Sequence, residues 1–177
     1  MKLVILDRDG VINVDSAQFI KTPEEWKPIP GSLEAIARLN QAGFTVVVAT
    51  NQSGIGRGLF DMATLNAINA KMHKALAQVG GRIEAIFYCP DTAESESDYR
   101  KPAPGMFLDI GERFAMPLEG VPAVGDSLRD LQAAAAVRAR PLLVLTGKGQ
   151  KTLESGGLPE GTQVYPDLAA VAEALVA

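Results

Sequence analysis

The sequence predicts an α/β fold, a parallel sheet with helices on both faces. Two observations carry this. Short, nearly all-apolar runs at 2–6, 44–49, 83–88, 121–124 and 141–145 alternate with segments of helical pattern. Strands that are apolar at successive positions, rather than at every second one, belong to a sheet buried on both sides. Strand–helix alternation then joins such strands in parallel. Sites in these sheets lie beyond the carboxyl ends of the strands.

The elements follow in order. Residues 2–6 form the first strand. Ser32 is placed to cap a helix through Ala42, with Pro30-Gly31 before it and Gly43 after it. Residues 44–49 form the second strand. Asp61 caps a long helix whose apolar stripe is Leu65, Ile68, Met72, Leu76 and Val79, ended by Gly80-Gly81. Residues 83–88 are the third strand, and Pro104 opens a helix to about Ala115. Residues 121–124 are the fourth strand, 128–137 a helix, and 141–145 the fifth strand. A glycine-rich loop, a short strand at 163–165 and a helix after Asp167 complete the chain. Two connections, 10–31 and 89–103, exceed the usual loop length, and such loops are often functional.

The chain has 177 residues, suited to one domain spanning 1–177. A net charge of -4 speaks against a nucleic-acid surface. The longest apolar runs fall well short of the roughly 20 residues of a membrane helix, so no membrane partner is expected. The N-terminus reaches Asp7 too soon for a signal peptide, which points to the cytoplasm. The expected state is a monomer. Cys89 is the one cysteine and His73 the one histidine, so an intrachain disulfide and a Cys/His zinc site are excluded and no zinc is expected. A nucleophile paired with histidine would need His73, which sits beside Met72 in a helix and reads as structural. Cys89 reads as a core residue.

The first strand runs into Asp7-Arg8-Asp9-Gly10. Carboxylates at i and i+2 project to the same side of an extended chain. Held together at a strand end they call for a cation, and a hard one such as Mg2+ suits oxygen ligands. One carboxylate can attack phosphorus while the other protonates the leaving oxygen and later deprotonates water. The second strand ends in Thr50-Asn51-Gln52-Ser53, whose hydroxyls and backbone N–H groups suit phosphate oxygens. Lys101 is placed to neutralise a transferring phosphoryl group, and Arg100 to fork onto a second anion. The fourth strand delivers Asp126, a third metal carboxylate, and Asp130 falls one turn into the next helix, where it can orient a neighbour.

This ordered set, D-x-D-G, a Thr, a Lys and an Asp at successive strand ends or neighbouring loops, resembles the phosphatase branch of the haloacid dehalogenase superfamily. The resemblance implies a Rossmann-like sheet and an aspartyl-phosphate intermediate. It makes Asp7 nucleophile and metal ligand, and Asp9 the general acid/base that also gives its backbone carbonyl to the metal. Thr50 and Lys101 steady the phosphoryl group, and Asp126 completes the protein's part of a magnesium shell. The family's dehalogenases lack the second aspartate, so Asp9 argues against that activity.

Residues 7–15, 50–58 and 100–105 resemble the members acting on a sugar bisphosphate, with histidinol-phosphate phosphatases as the neighbouring branch. A small phosphorylated sugar is then the expected partner. Arg100 is expected to contribute to its recognition, with Arg57 a further candidate. Asp15, Ser16, Ala17 and Gln18 align with the family's substrate loop. Many relatives carry a zinc loop after the third strand; here it begins Cys89-Pro90-Asp91 and has no further Cys or His. The chain also leaves no room for a separate cap domain. A phospho-accepting receiver domain is the non-enzymatic alternative, and a phosphomutase the other enzymatic one. Asp9 favours turnover over storage of the phosphate.

Overall fold

The computed structural model describes residues 1–177. Six strands form one sheet: β1 (Lys2–Leu6), β2 (Phe44–Asn51), β3 (Ala85–Cys89), β4 (Pro122–Gly125), β5 (Arg140–Val144) and β6 (Gln163–Tyr165). Their order is β3-β2-β1-β4-β5-β6, and every neighbouring pair is parallel. The helices are α1 (Ser32–Gln41), α2 (Ser53–Gly56), α3 (Met62–Gln78), α4 (Gly105–Arg113), α5 (Leu128–Ala136), α6 (Gly149–Ser155) and α7 (Leu168–Val176). No helix is long and apolar enough to cross a membrane.

The alternation of side chains along β1 explains why the core has two halves. Val4 and Leu6 join Ile36, Leu39, Ile68, Met72 and Leu168, under α1, α3 and α7. Leu3 and Ile5 join Met106, Phe107, Ile110, Ala133 and Ala134, under α4 and α5. Both faces are thus covered, as the unbroken apolar strands require. The strand order reverses between β1 and β4, and a crevice opens at such a switch point. Asp7 follows β1 and Asp126 follows β4, so both stand at its edge.

Several elements differ from the sequence expectation, most of them by a residue or two at their ends. Ser32 does not cap α1: Gly31 holds that position at φ 87°, and the Ser32 hydroxyl donates instead to the Val11 carbonyl at 2.8 Å. That bond ties the start of α1 to the loop leaving Asp7. Asp61 does cap α3, but Val79 lies past its last turn and is exposed. The stretch after β5 is not all loop, because α6 forms beyond Gly147 from residues such as Gln150, Lys151 and Leu153. The second strand runs on to Asn51, which pairs with Cys89 of β3. His73 is exposed and Cys89 buried.

Candidate active site

The turn after β1 is tightly bonded. The Asp7 N–H donates to the Val124 carbonyl of β4 at 2.9 Å, and the Arg8 carbonyl accepts from Val11, Ile12 and Asn13. Gly10 takes φ 86°, and a Cβ there would lie 2.0 Å from Asp126 Oδ2. Gly147 approaches the same oxygen from the loop after β5, where a Cβ would come within 2.3 Å. Neither position can carry a side chain while Asp126 stays where it is.

Lys101 is the hub of the floor. Its ammonium donates to the Ala49 carbonyl at 2.7 Å, to Asp130 Oδ1 at 2.6 Å and to Asp7 Oδ1 at 3.2 Å. The Asn51 amide clamps the Lys101 main chain from both sides, donating to its carbonyl at 3.0 Å and accepting its N–H at 3.1 Å. Asp130 Oδ2 accepts from the N–H groups of Asp126 and Ser127 and from the Ser127 hydroxyl. One carboxylate therefore joins Lys101 to the turn that carries Asp126. Asp9 Oδ1 accepts from Arg8 Nε at 2.8 Å and Asn13 Nδ2 at 3.0 Å, while Gln52 Nε2 reaches Oδ2 at 3.4 Å and Thr50 Oγ1 at 2.9 Å.

The charges respond to this crowding. Burial, then the negative charge of Asp130, pushes Asp7 up to about 7 despite Lys101 beside it. Burial and the charges of Asp130 and Asp7 push Asp126 up to about 9. Burial would raise Asp9 as well, but the Arg8 guanidinium and the bonds from Arg8, Asn13 and Gln52 outweigh it and hold Asp9 below its ordinary value. For Lys101, burial opposes the charge, and Asp130 and Asp7 overcome it, so its pKa rises.

Asp7, Asp9, Thr50, Asn51, Gln52, Lys101, Asp126 and Asp130 line one cleft of about 240 Å³, together with Asp15, Ser16, Ala17, Ser53, Arg57 and Arg100. Of the residues expected from sequence, Gln18 alone does not line it: its side chain is exposed, and its N–H closes a turn on Ser16 Oγ. Phe19, at φ 67°, lines the cleft instead. The side chains of Asn51 and Gln52 are largely spent on holding Lys101, Thr50 and Asp9. Arg129 and Lys148 also line the cleft and were not foreseen. Both follow strands whose carboxyl ends face the crevice, so strand position was the signal that could have found them.

The model of the haloacid dehalogenase-like hydrolases matches residues 2–138. The chain belongs to this family. It is 65% identical over 99% of its length to the D-glycero-β-D-manno-heptose-1,7-bisphosphate 7-phosphatase of Bordetella bronchiseptica, covering 98% of that protein. It is 56% identical to the enzyme of the same name from Pseudomonas putida, over 99% of this chain and 100% of that one. The crystal structure of the Bordetella D,D-heptose 1,7-bisphosphate phosphatase, complexed with magnesium and phosphate, superposes with a TM-score of 0.98, covering 99% of this chain and 98% of that one at 65% identity.

The residues of this member of the family fit a divalent cation. Carboxylate oxygens of Asp7, Asp126 and Asp130 lie within 4.8 Å of one another. Asp130 is committed through both oxygens, to Lys101 and to the Asp126–Ser127 turn. Asp7 and Asp126 are each bonded through one oxygen only, Oδ1 and Oδ2 respectively. Burial, and then the negative charge of neighbouring carboxylates, raises the pKa of both, and a hard cation relieves both costs.

The 89–103 loop is held by local hydrogen bonds. Ser97 Oγ accepts from the N–H groups of Tyr99 and Arg100, and the Cys89 sulfur lies 3.5 Å from Asp91 Oδ2 and 3.9 Å from Ser97 Oγ. Pro90 accepts from Gly56 of α2, and the Arg100 guanidinium donates to the Asp91 carbonyl. These bonds present Arg100 to the cleft.

Proposed function

We propose that this chain removes the C7 phosphate of a D-glycero-D-manno-heptose 1,7-bisphosphate and leaves the C1 phosphate in place. The observation that carries the reading is the pairing, in one cleft, of a carboxylate–lysine floor with a rim of four cations, Arg57, Arg100, Arg129 and Lys148. A floor of this kind serves one phosphoryl group, and the surplus positive charge above it suits a second.

The reacting phosphate lies on the floor between Asp7, Thr50 and Lys101. An Asp7 oxygen bonds to phosphorus as the bond from phosphorus to the sugar oxygen breaks, and the sugar oxygen takes a proton from Asp9, a carboxylate in the free chain that takes up this proton once the negative charge of the bound phosphate offsets Arg8. Asp9, now a carboxylate, takes a proton from water. The water oxygen bonds to phosphorus, the bond to Asp7 breaks, and phosphate leaves. Lys101, neutralised in the free protein by Asp7 and Asp130, offsets charge on the phosphoryl oxygens throughout. Magnesium held by Asp7, Asp126 and the Asp9 carbonyl would add positive charge at the same oxygens. The outer phosphate meets Arg100, with Arg129 beside it, and remote contacts of this kind are spent on orienting the reacting end.

Support comes from full-length relatives of that name and from the agreement of the floor with the phosphatase chemistry. The test is a panel of phosphorylated metabolites with magnesium, containing heptose 1,7-bisphosphate and histidinol phosphate side by side. The expected result is the highest kcat/KM for the heptose bisphosphate. A clear preference for histidinol phosphate overturns the substrate and leaves the chemistry standing.

A further inference from the structure

Arg8 is fully buried, and the only carboxylate within its reach is Asp9, bonded through Nε at 2.8 Å. Its terminal nitrogens Nη1 and Nη2 are buried without a hydrogen-bond partner. Taking a guanidinium out of water is costly, and a well-packed apolar side chain of similar volume often gives the more stable protein. A half-satisfied cation is therefore poorly explained by stability, and its single ionic contact is the place to look for its use.

Asn13 repeats the pattern. It is wholly buried, its Nδ2 donates to the same Asp9 oxygen at 3.0 Å, and its own Oδ1 has no partner. The turn brings it there: the Arg8 carbonyl accepts its N–H, and the Asn13 carbonyl accepts the N–H of Gly10. Asp9 Oδ1 thus has two donors at 3.0 Å or less, whereas Oδ2 is met only by Gln52 at 3.4 Å. Neither Arg8 nor Asn13 lines the cleft. Their contact with the reaction passes through Asp9.

We infer that Arg8 and Asn13 are positioning residues that pin Oδ1 of Asp9, fix the plane of its carboxyl group, and make Oδ2 the oxygen that passes the proton to the leaving group. This rests on Asp9 being the general acid of the proposed reaction. Rotation about the Cβ–Cγ bond would exchange the two oxygens, and two donors converging on Oδ1 oppose it. The proton then moves from Oδ2 to the sugar oxygen as that oxygen receives the electron pair of the breaking P–O bond.

A purely structural role and a positioning role separate on leaving-group dependence. The constant kcat/KM reports the steps up to expulsion of the leaving group. p-Nitrophenolate departs without a proton, whereas an alkoxide needs one. Arg8→Met should lower kcat/KM by about 10²-fold for an alkyl phosphate and by less than about tenfold for p-nitrophenyl phosphate, since general-acid catalysis is at stake only for the former. Phenyl phosphate should fall between. Arg8→Lys, which keeps a cation able to reach Oδ1, should recover most of the alkyl loss. Asn13→Ala should give the same split over a smaller span, and it carries the test if Arg8→Met does not fold. An equal loss across the series overturns the proposal. Asp9→Asn, measured in parallel, tells the two failures apart: no split in Asp9→Asn removes the general acid itself, whereas a split there with none in the Arg8 and Asn13 variants removes only the positioning role.

Discussion

On the floor of the cleft, the Lys101 ammonium makes three hydrogen bonds, all within 3.2 Å, and is almost wholly buried. On the rim, Arg129 is exposed and has no carboxylate within ion-pair distance, Arg57 reaches Glu94 only at 3.9 Å, and Lys148 reaches Asp15 at 3.5 Å. Around Lys101 the floor is a closed network in which the ammonium, Asp7 and Asp130 hold one another in place. The rim is a set of loosely held cations on separate elements, Arg129 at the start of α5 and the others on loops or helix ends. Fixed charges favour chemistry, because they cost no reorganisation during the reaction. Loose, solvated charges favour recognition, because they can close on an anion of variable shape. The division predicts that floor variants damage every substrate, whereas rim variants damage one class.

The largest effect is expected at the floor's centre. Asp7→Ala should abolish turnover of all phosphate esters while leaving the circular-dichroism spectrum unchanged. Near-normal activity would break the comparison at its root. Asp130→Ala should be the most destabilising floor change, by about 3–5 kcal/mol in denaturant titration, because it leaves Lys101 buried with half its counter-charge. A loss below about 1 kcal/mol would mean that the network is not closed as described.

A cation should reverse the pH dependence of stability. Asp7 and Asp126 bind protons more tightly in the folded chain, at about 7 and about 9 against 3.8 ordinarily. Their burial is therefore tolerated at low pH and grows costly as pH rises from the ordinary value of 3.8 towards about 7 for Asp7 and about 9 for Asp126, levelling off beyond. The metal-free protein should lose thermal stability between about pH 5 and 9, and the stabilisation given by magnesium should grow over the same range. Stabilisation by magnesium that is independent of pH would dissociate it from these carboxylates.

The smallest expected effect is the most selective. Arg100→Ala should lower kcat/KM for the heptose bisphosphate by about 10-fold or more, as for a lost charge-assisted contact, and leave a simple monophosphate nearly unchanged. Equal losses for both would move Arg100 from the rim to the floor.

The same division governs how much was legible in the sequence. Asp7 and Asp126 sit directly after buried apolar strands, Asp9 two residues beyond Asp7, Thr50 at the end of β2, and Lys101 in an Arg-Lys-Pro motif before α4, so these five could be placed without coordinates. Their bonds could not. Asn51 and Gln52 suggest phosphate ligands from sequence, but their amides hold Lys101, Thr50 and Asp9, contacts that span 50 and 43 residues for Asn51–Lys101 and Gln52–Asp9. The rim was legible only in part. Arg100 adjoins a motif, but Lys148 lies in a stretch whose glycines hid α6, and Phe19 enters the cleft through a positive φ that no apolar pattern announces. The Ser32 cap failed for a related reason. Its hydroxyl had a competing acceptor in Val11, distant in sequence and adjacent in space.

The reading that joins floor to rim is that one phosphate reacts while the other is held, and phosphorus NMR of a single reaction tests it most directly. With heptose 1,7-bisphosphate, magnesium and the intact chain, the C7 resonance should disappear as inorganic phosphate grows in equal amount, with the C1 resonance persisting in the product. Loss of the C1 phosphate, or of both at comparable rates, would contradict the account.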